Sequence, residues 1–217
     1  MEAGHMGREA DVAPAPAATE PTGGRMAGWT PADPGPLGLA GFATTTFVLS
    51  VYNAHLVNGG GLPVVFGLAL AYGGIAQLLA GMWEFRTGNT FGAVAFSSFG
   101  AFWISYFVLV QLDIKLFPAA GVTAHSVAVY LYAWAIFTSY MFIASLRTTA
   151  AVAMVFLLLA ATFWVLAIGN AGTNISIIKI GGWLGIATAI VAWYASFAAV
   201  TNATFGRVVL PVVPLKR

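Results

Sequence analysis

The chain has 217 residues, of which 59% are hydrophobic and 7% charged, whereas an ordinary soluble domain is roughly a quarter charged. A sequence so poor in charge lacks the polar surface that a water-soluble fold needs, and its formal charge of +2 is too small to suggest a nucleic-acid partner. The absence of cysteine excludes disulfides and thiol chemistry.

Met1 to Thr30 contains acids, prolines and alanines but no apolar core, so it does not read as a cleavable signal peptide. With its Ala13-Pro14-Ala15-Pro16-Ala17 run, segment 1–30 reads as a disordered cytosolic tail. A six-helix membrane domain is expected over 31–206 and a cytosolic C-terminal tail over 207–217.

No Asp, Glu, Lys or Arg occurs from Leu37 to Trp83, Thr87 to Leu112, Leu116 to Leu146, Thr148 to Ile178 or Ile180 to Gly206. Each stretch exceeds the ~20 residues that a helix needs to cross the hydrocarbon core. The first is long enough for two spans, divided at Asn58-Gly59-Gly60-Gly61-Leu62-Pro63. The predicted fold is therefore an all-α polytopic membrane protein with six transmembrane helices: Leu37–Val57, Leu62–Trp83, Phe91–Leu112, Ser126–Leu146, Ala150–Ile168 and Ser176–Val200. Barrel strands are excluded, because these segments are continuously apolar and do not alternate.

Placing the N-terminus inside puts Arg8, Arg25, Arg86, Arg147, Arg207, Lys216 and Arg217 on the cytoplasmic side, with Lys115 and Lys179 outside. The excess follows the rule that basic residues stay inside, so both termini are expected in the cytoplasm.

Pro34 and Pro36 precede the first helix, where a missing N–H costs nothing and the fixed φ helps the turn begin. Gly38 follows in the first turn. Small residues recur at Gly67, Ala71, Gly73, Gly74, Gly81, Gly88, Gly92, Gly181 and Gly185, a pattern expected to serve close helix packing.

With no formal charge inside the spans, any path must be built from hydroxyls, amides, imidazole and helix ends. Phe42, Thr46, Ser50 and Asn53 share one face of the first helix, which could line a narrow polar and aromatic path. Tyr72, Gln77, Ser97, Ser98, Thr138, Ser139 and Thr162 supply further polar groups. A buried amide needs a partner, so Gln77 read alone suits helix packing. Glu84, Asn89 and Asn170 fall near span ends as caps or anchors, and His55 and His125 near the outer boundary. There is no mid-span Lys, no Asp pair, no HExxH motif and no Cys, so neither an enzyme, a cofactor nor a metal site is expected.

Asp33-Pro34-Gly35-Pro36-Leu37-Gly38-Leu39, followed by Gly41-Phe42-Ala43-Thr44-Thr45-Thr46, resembles the opening motif of the acetate uptake transporter family, which includes bacterial succinate-acetate permeases and fungal acetate transporters. Further matches are Tyr72-Gly73-Gly74-Ile75-Ala76-Gln77, then Ala80-Gly81, Glu84, Gly88-Asn89-Thr90-Phe91-Gly92, Phe99-Gly100-Ala101-Phe102-Trp103, Ala167-Ile168-Gly169-Asn170 and Phe205-Gly206-Arg207. The resemblance implies a ring-like hexamer in a plasma membrane of the bacterial inner-membrane type, with a path for acetate, and in some members succinate, through each protomer. It also implies a constriction at Phe42, Phe99 and Leu159. Phe99 stands where the family usually has Tyr, and Asp33 where it usually has Asn.

The expected function is passage of acetate or other small carboxylates, passive or linked to protons. Thr46, Ser50, Asn53, Tyr72 and Gln77 are expected near the path, with Pro34, Pro36, Leu37 and Gly38 forming the helix start. The alternatives are a channel for another small solute, ammonium or a neutral molecule, and a non-transporting membrane scaffold or sensor.

Overall fold

The computed structural model describes residue 29, residues 31–113 and residues 122–215. The expected N-terminal tail apart from Trp29, and Lys115, Lys216 and Arg217, lie outside the described residues. Six helices are long and apolar enough to cross a membrane. They are α1 (Gly35–Asn53), α2 (Gly59–Thr87), α3 (Thr90–Gln111), α4 (Ala124–Ser145), α5 (Ala150–Ala171) and α6 (Ile175–Phe205).

Local chemistry sets most of the helix ends. Pro34 and Pro36 open α1. The Asp33 carboxylate turns back to accept from Gly35 N–H at 2.8 Å, the local bond expected of Asp or Asn at a turn, so an acid here does the work that Asn would do. Asn89, Thr123, Thr149 and Asn174 cap α3, α4, α5 and α6 by accepting backbone N–H groups. Gly88 and Gly206, with φ of 78° and 65°, end α2 and α6 in the left-handed conformation.

Three boundaries differ from the sequence reading by four residues or more. α1 stops at Asn53, short of Val57, because His55 adopts φ 56° and breaks the helical run. α2 continues past Trp83 to Thr87, which brings Glu84 and Arg86 into the helix. α6 runs on past Val200 to Phe205, where Gly206 ends it.

α2 is not a uniform helix. It opens with a 3-10 turn, continues as α-helix over Pro63–Leu70 and widens to a π segment over Ala71–Ala76 before Gln77–Thr87. α1 packs along α6, α6 along α5, α5 along α4, and α2 along α3 and α1. The backbone of Asn53 and Ala54 lies where a Cβ on Gly182 would sit, and the Tyr72 carbonyl occupies the same place beside Gly41. Within the protomer, two of the small residues make no such close contact. A Cβ on Gly67 would meet nothing within 4 Å, and Gly88 serves the α2 C-cap.

The segment read as a C-terminal tail turns back on the bundle over its described part, 208–215. The Asn202 amide donates to Leu210 C=O at 2.8 Å and accepts from Val209 and Leu210 N–H. Ala150 N–H donates to Val213 C=O and Leu215 N–H to Thr148 C=O, so the strap occupies backbone groups at the start of α5.

Candidate functional site

Successive helices alternate in direction. The starts of α1, α3 and α5 therefore share one face, called the first face below, with the ends of α2, α4 and α6. Arg86, Arg147 and Arg207 are exposed there, and Lys179 is exposed near the start of α6 at the opposite face.

Two cavities lie along α1, α3 and α5. The one at the first face has a volume of about 420 Å³ and is lined by Pro36 and Leu39 of α1, Gly92 and Phe96 of α3, and Val152 and Phe156 of α5. Asp33, Glu84, Asn89, Thr148 and Thr149 give it a polar rim, and Val212 and Pro214 of the C-terminal strap form part of its wall. The opposite cavity has a volume of about 300 Å³, the space of about ten waters at ~30 Å³ each. Phe42, Thr46, Ser50 and Asn53 line it in helical register along α1. Trp103 and Tyr106 of α3, Tyr130 of α4, and Leu159, Thr162 and Asn170 of α5 complete its wall.

Between the cavities is an apolar layer. Phe99 is 2% exposed and lines neither cavity. Its ring centroid lies 5.8 Å from Phe42, 5.4 Å from Phe137, 5.9 Å from Trp134 and 6.0 Å from Phe156. Such pairs contribute about 0.5–1.5 kcal/mol each beyond area burial, so the central ring is fixed from several sides. Phe42 and Leu159 belong to the same buried cluster and face the opposite cavity.

The stripe of α5 that faces the axis is Val152, Phe156, Leu159, Phe163, Leu166 and Asn170. Its first two residues line one cavity and its last four the other. Steps of three and four residues keep all six on one helical face. Among the described residues no Lys, Arg or His lines either cavity. A carboxylate here has only neutral dipoles and water to replace its hydration shell. Thr46 Oγ1 and Trp103 Nε1, on residues that line the opposite cavity, have no hydrogen-bond partner among the described residues.

The remaining expected site residues fall elsewhere. Tyr72, in the π segment, and Gln77, just after it, line neither cavity. Gln77 is 1% exposed, and its Oε1 has no partner among the described residues. This part of α2 packs against α1 and α3, and Gln77 is buried in that contact without reaching a cavity wall. Pro34 and Gly38 are buried at the start of α1, Pro36 C=O accepts from Ser196 Oγ at 2.7 Å, and Leu37 is 46% exposed. His55 and His125 are exposed near the helix ends.

The family described as GPR1/FUN34/yaaH matches residues 19–217. The chain belongs to the GPR1/FUN34/yaaH family. A succinate-acetate/proton symporter from Escherichia coli is 40% identical over 185 residues, which is 83% of this chain and 95% of that protein. Acetate permease A of Emericella nidulans is also 40% identical, covering 83% of this chain and 65% of its own length. Ammonia transport outward protein 2 of Saccharomyces cerevisiae is 40% identical over 79% of this chain and 62% of its own. Among solved structures, the bacterial acetate channel SatP superposes with a TM-score of 0.80 at 38% identity, covering 84% of this chain and 99% of that one.

For this GPR1/FUN34/yaaH member, sequence reasoning missed the first-face cavity. Glu84 stood at what read as a span end, and 208–215 was read as tail although its Val, Leu and Pro residues are all apolar. The α5 stripe was present as spacing, but α5 is the most apolar of the six helices, so its ladder carries little polar contrast.

Proposed function

We propose that the protein passes acetate and other small carboxylates across the membrane, through a path within each protomer, and that the step is linked to protons. The observation that carries this reading is the pair of cavities reaching from opposite faces to one apolar layer at Phe42, Phe99 and Leu159, with no cation among the described residues of either wall. An anion held in a medium of low dielectric without a partner costs several kcal/mol or more, whereas the neutral acid crosses a short apolar layer at far smaller cost. The names of the Escherichia coli and Emericella relatives support the substrate class, and the first also supports the proton.

On this reading the protein is a transporter and not an enzyme, Thr46, Ser50 and Asn53 line the path on the opposite side, and Phe42, Phe99 and Leu159 form its gate. The exposed Arg86, Arg147 and Arg207 favour a cytoplasmic first face, with both termini inside, in a plasma membrane of the bacterial inner-membrane type. A ring-like homo-hexamer is the assembly we expect.

Uptake of labelled acetate into proteoliposomes tests the reading. Flux above empty liposomes, reduced by unlabelled acetate, is expected, and flux equal to that of empty liposomes would remove it. The yeast relative's name favours a second reading, passage of ammonia. Ammonia flux that acetate does not compete, with no acetate uptake, would establish that alternative.

A further inference from the structure

We infer that Glu84 is a proton-exchange site for the carboxylic acid that crosses the apolar layer, an inference that rests on the carboxylate reading above. Glu84 lines the first-face cavity yet is 2% exposed. Its Oε2 accepts from Asn89 Nδ2 at 3.0 Å and from Thr87 Oγ1 at 3.1 Å. Oε1 receives no hydrogen bond from the described residues. The carboxyl group occupies space left by Gly92, where a Cβ would come within 2.6 Å of Glu84 Oε1 and Cδ. Asn89 couples this arrangement to α3, because its Oδ1 accepts from Gly92 N–H at 3.2 Å while its amide holds Glu84.

Among the described residues, the surrounding elements bring no cation into the cavity. The segment before α1 contributes Asp33, whose charge opposes that of Glu84 ionised. α3 contributes Asn89, the start of α5 Thr148 and Thr149, and the strap Val212 and Pro214. Arg86 on α2, Arg147 before α5 and Arg207 after α6 are exposed at the same face and line no part of the cavity. A carboxyl with one oxygen fixed and the other open can bind and release a proton without first breaking an ion pair.

In the direction away from the first face, Glu84 in its acid form gives its proton to an arriving carboxylate anion. The O–H bond at Glu84 breaks, one forms on the substrate, and the neutral acid enters the layer between Phe42 and Phe99. Glu84, left as the carboxylate, regains a proton from water at the first face. In the opposite direction the emerging acid protonates Glu84, leaves as the anion, and Glu84 returns the proton to water. Charge and protons balance in both directions.

The experiment is acetate exchange in proteoliposomes with equal pH on both sides, measured from pH 5 to 8. Without a proton held at Glu84, flux follows the free acid in bulk and falls about tenfold per unit above the acid's own pKa. The parent protein is expected to hold its rate to a higher pH than Glu84→Gln, whose profile follows that steep fall. A purely structural role for Glu84 would lower the rate by one factor at every pH. Profiles of parent and E84Q that superimpose after scaling overturn the inference while leaving acetate passage intact. Parent flux equal to empty liposomes removes both. Should E84Q fail to fold, Thr87→Val serves. It deletes a donor to the ionised carboxyl and is expected to move the bend in the profile to higher pH, and an unmoved bend overturns the proposal.

Discussion

Thr46 poses the residue-scale question of why a hydroxyl is left without a partner in an apolar helix. Most buried hydroxyls in the bundle are satisfied locally, as Thr138 is by Trp134 C=O and Thr162 by Leu158 C=O, the usual arrangement for Ser and Thr in apolar helices. Thr46 Oγ1 has no such bond and its residue faces the opposite cavity. Thr46→Val removes this hydroxyl from a residue of the cavity wall and is expected to slow acetate flux without lowering the unfolding temperature. Thermal unfolding and flux on the same preparation check it, and a variant both stable and fully active would take Thr46 off the path. Leu159→Ala acts in the other direction. It removes a buried side chain at the layer, costs about 2–5 kcal/mol in stability, and is expected to speed acetate and admit larger carboxylates. Competition by succinate against labelled acetate reads that change.

At the scale of the helix, glycines that look alike in sequence separate by what lies beside them. Gly182 puts α6 directly on the backbone of Asn53 and Ala54, with Asn53 C only 2.6 Å from a built Cβ. Gly67 sits in the exposed part of α2 with no atom within 4 Å. Overpacking against backbone costs about 1–3 kcal/mol or more, whereas alanine in an open helical position gains about 0.5–1 kcal/mol over glycine. Gly182→Ala is therefore expected to lower the unfolding temperature and Gly67→Ala to raise it slightly, both read by thermal denaturation in detergent. Spacing alone could not make this distinction, because the small-residue pattern records that contact is permitted but not whether a neighbour arrives.

The same limit explains how much of the site was legible. The six spans and the Phe42, Thr46, Ser50 and Asn53 face follow from hydropathy and helical period, which are local properties of the chain. Glu84 did not, because a charge at the edge of an apolar stretch resembles an anchor until Asn89 and Gly92 of the next helix close around it. Tyr72 and Gln77 looked suitable by polarity, yet α2 packs against α1 and α3 here without bringing either to a cavity wall, and carries a π segment between its two α-helical parts. The strap over 208–215 is an apolar Val, Leu and Pro run too short to cross a membrane, and neither its length nor its prolines say where it lies. Its order comes from Asn202, Tyr194 and the start of α5, which are distant in sequence.

For the whole molecule, the absence of basic residues from the described walls of both cavities bears on what can cross. A pore that selects anions surrounds them with positive charge or with aligned donors that replace water. The described walls offer hydroxyls and amides at the cavity ends and a layer of rings between them. Such a path should discriminate by proton affinity more sharply than by size. Methanesulfonate resembles acetate in size and shape but stays ionised throughout the physiological pH range. If the neutral acid is the species that crosses Phe42, Phe99 and Leu159, methanesulfonate should be carried at least about tenfold more slowly than acetate, because each 1.4 kcal/mol of uncompensated charge in the layer is worth a factor of ten. It should also compete weakly, since the cavities admit it even where the layer does not. Equal flux of the two ions, with a membrane potential developing as they enter, would mean that the anion itself crosses and that water or backbone dipoles reach the layer during transport.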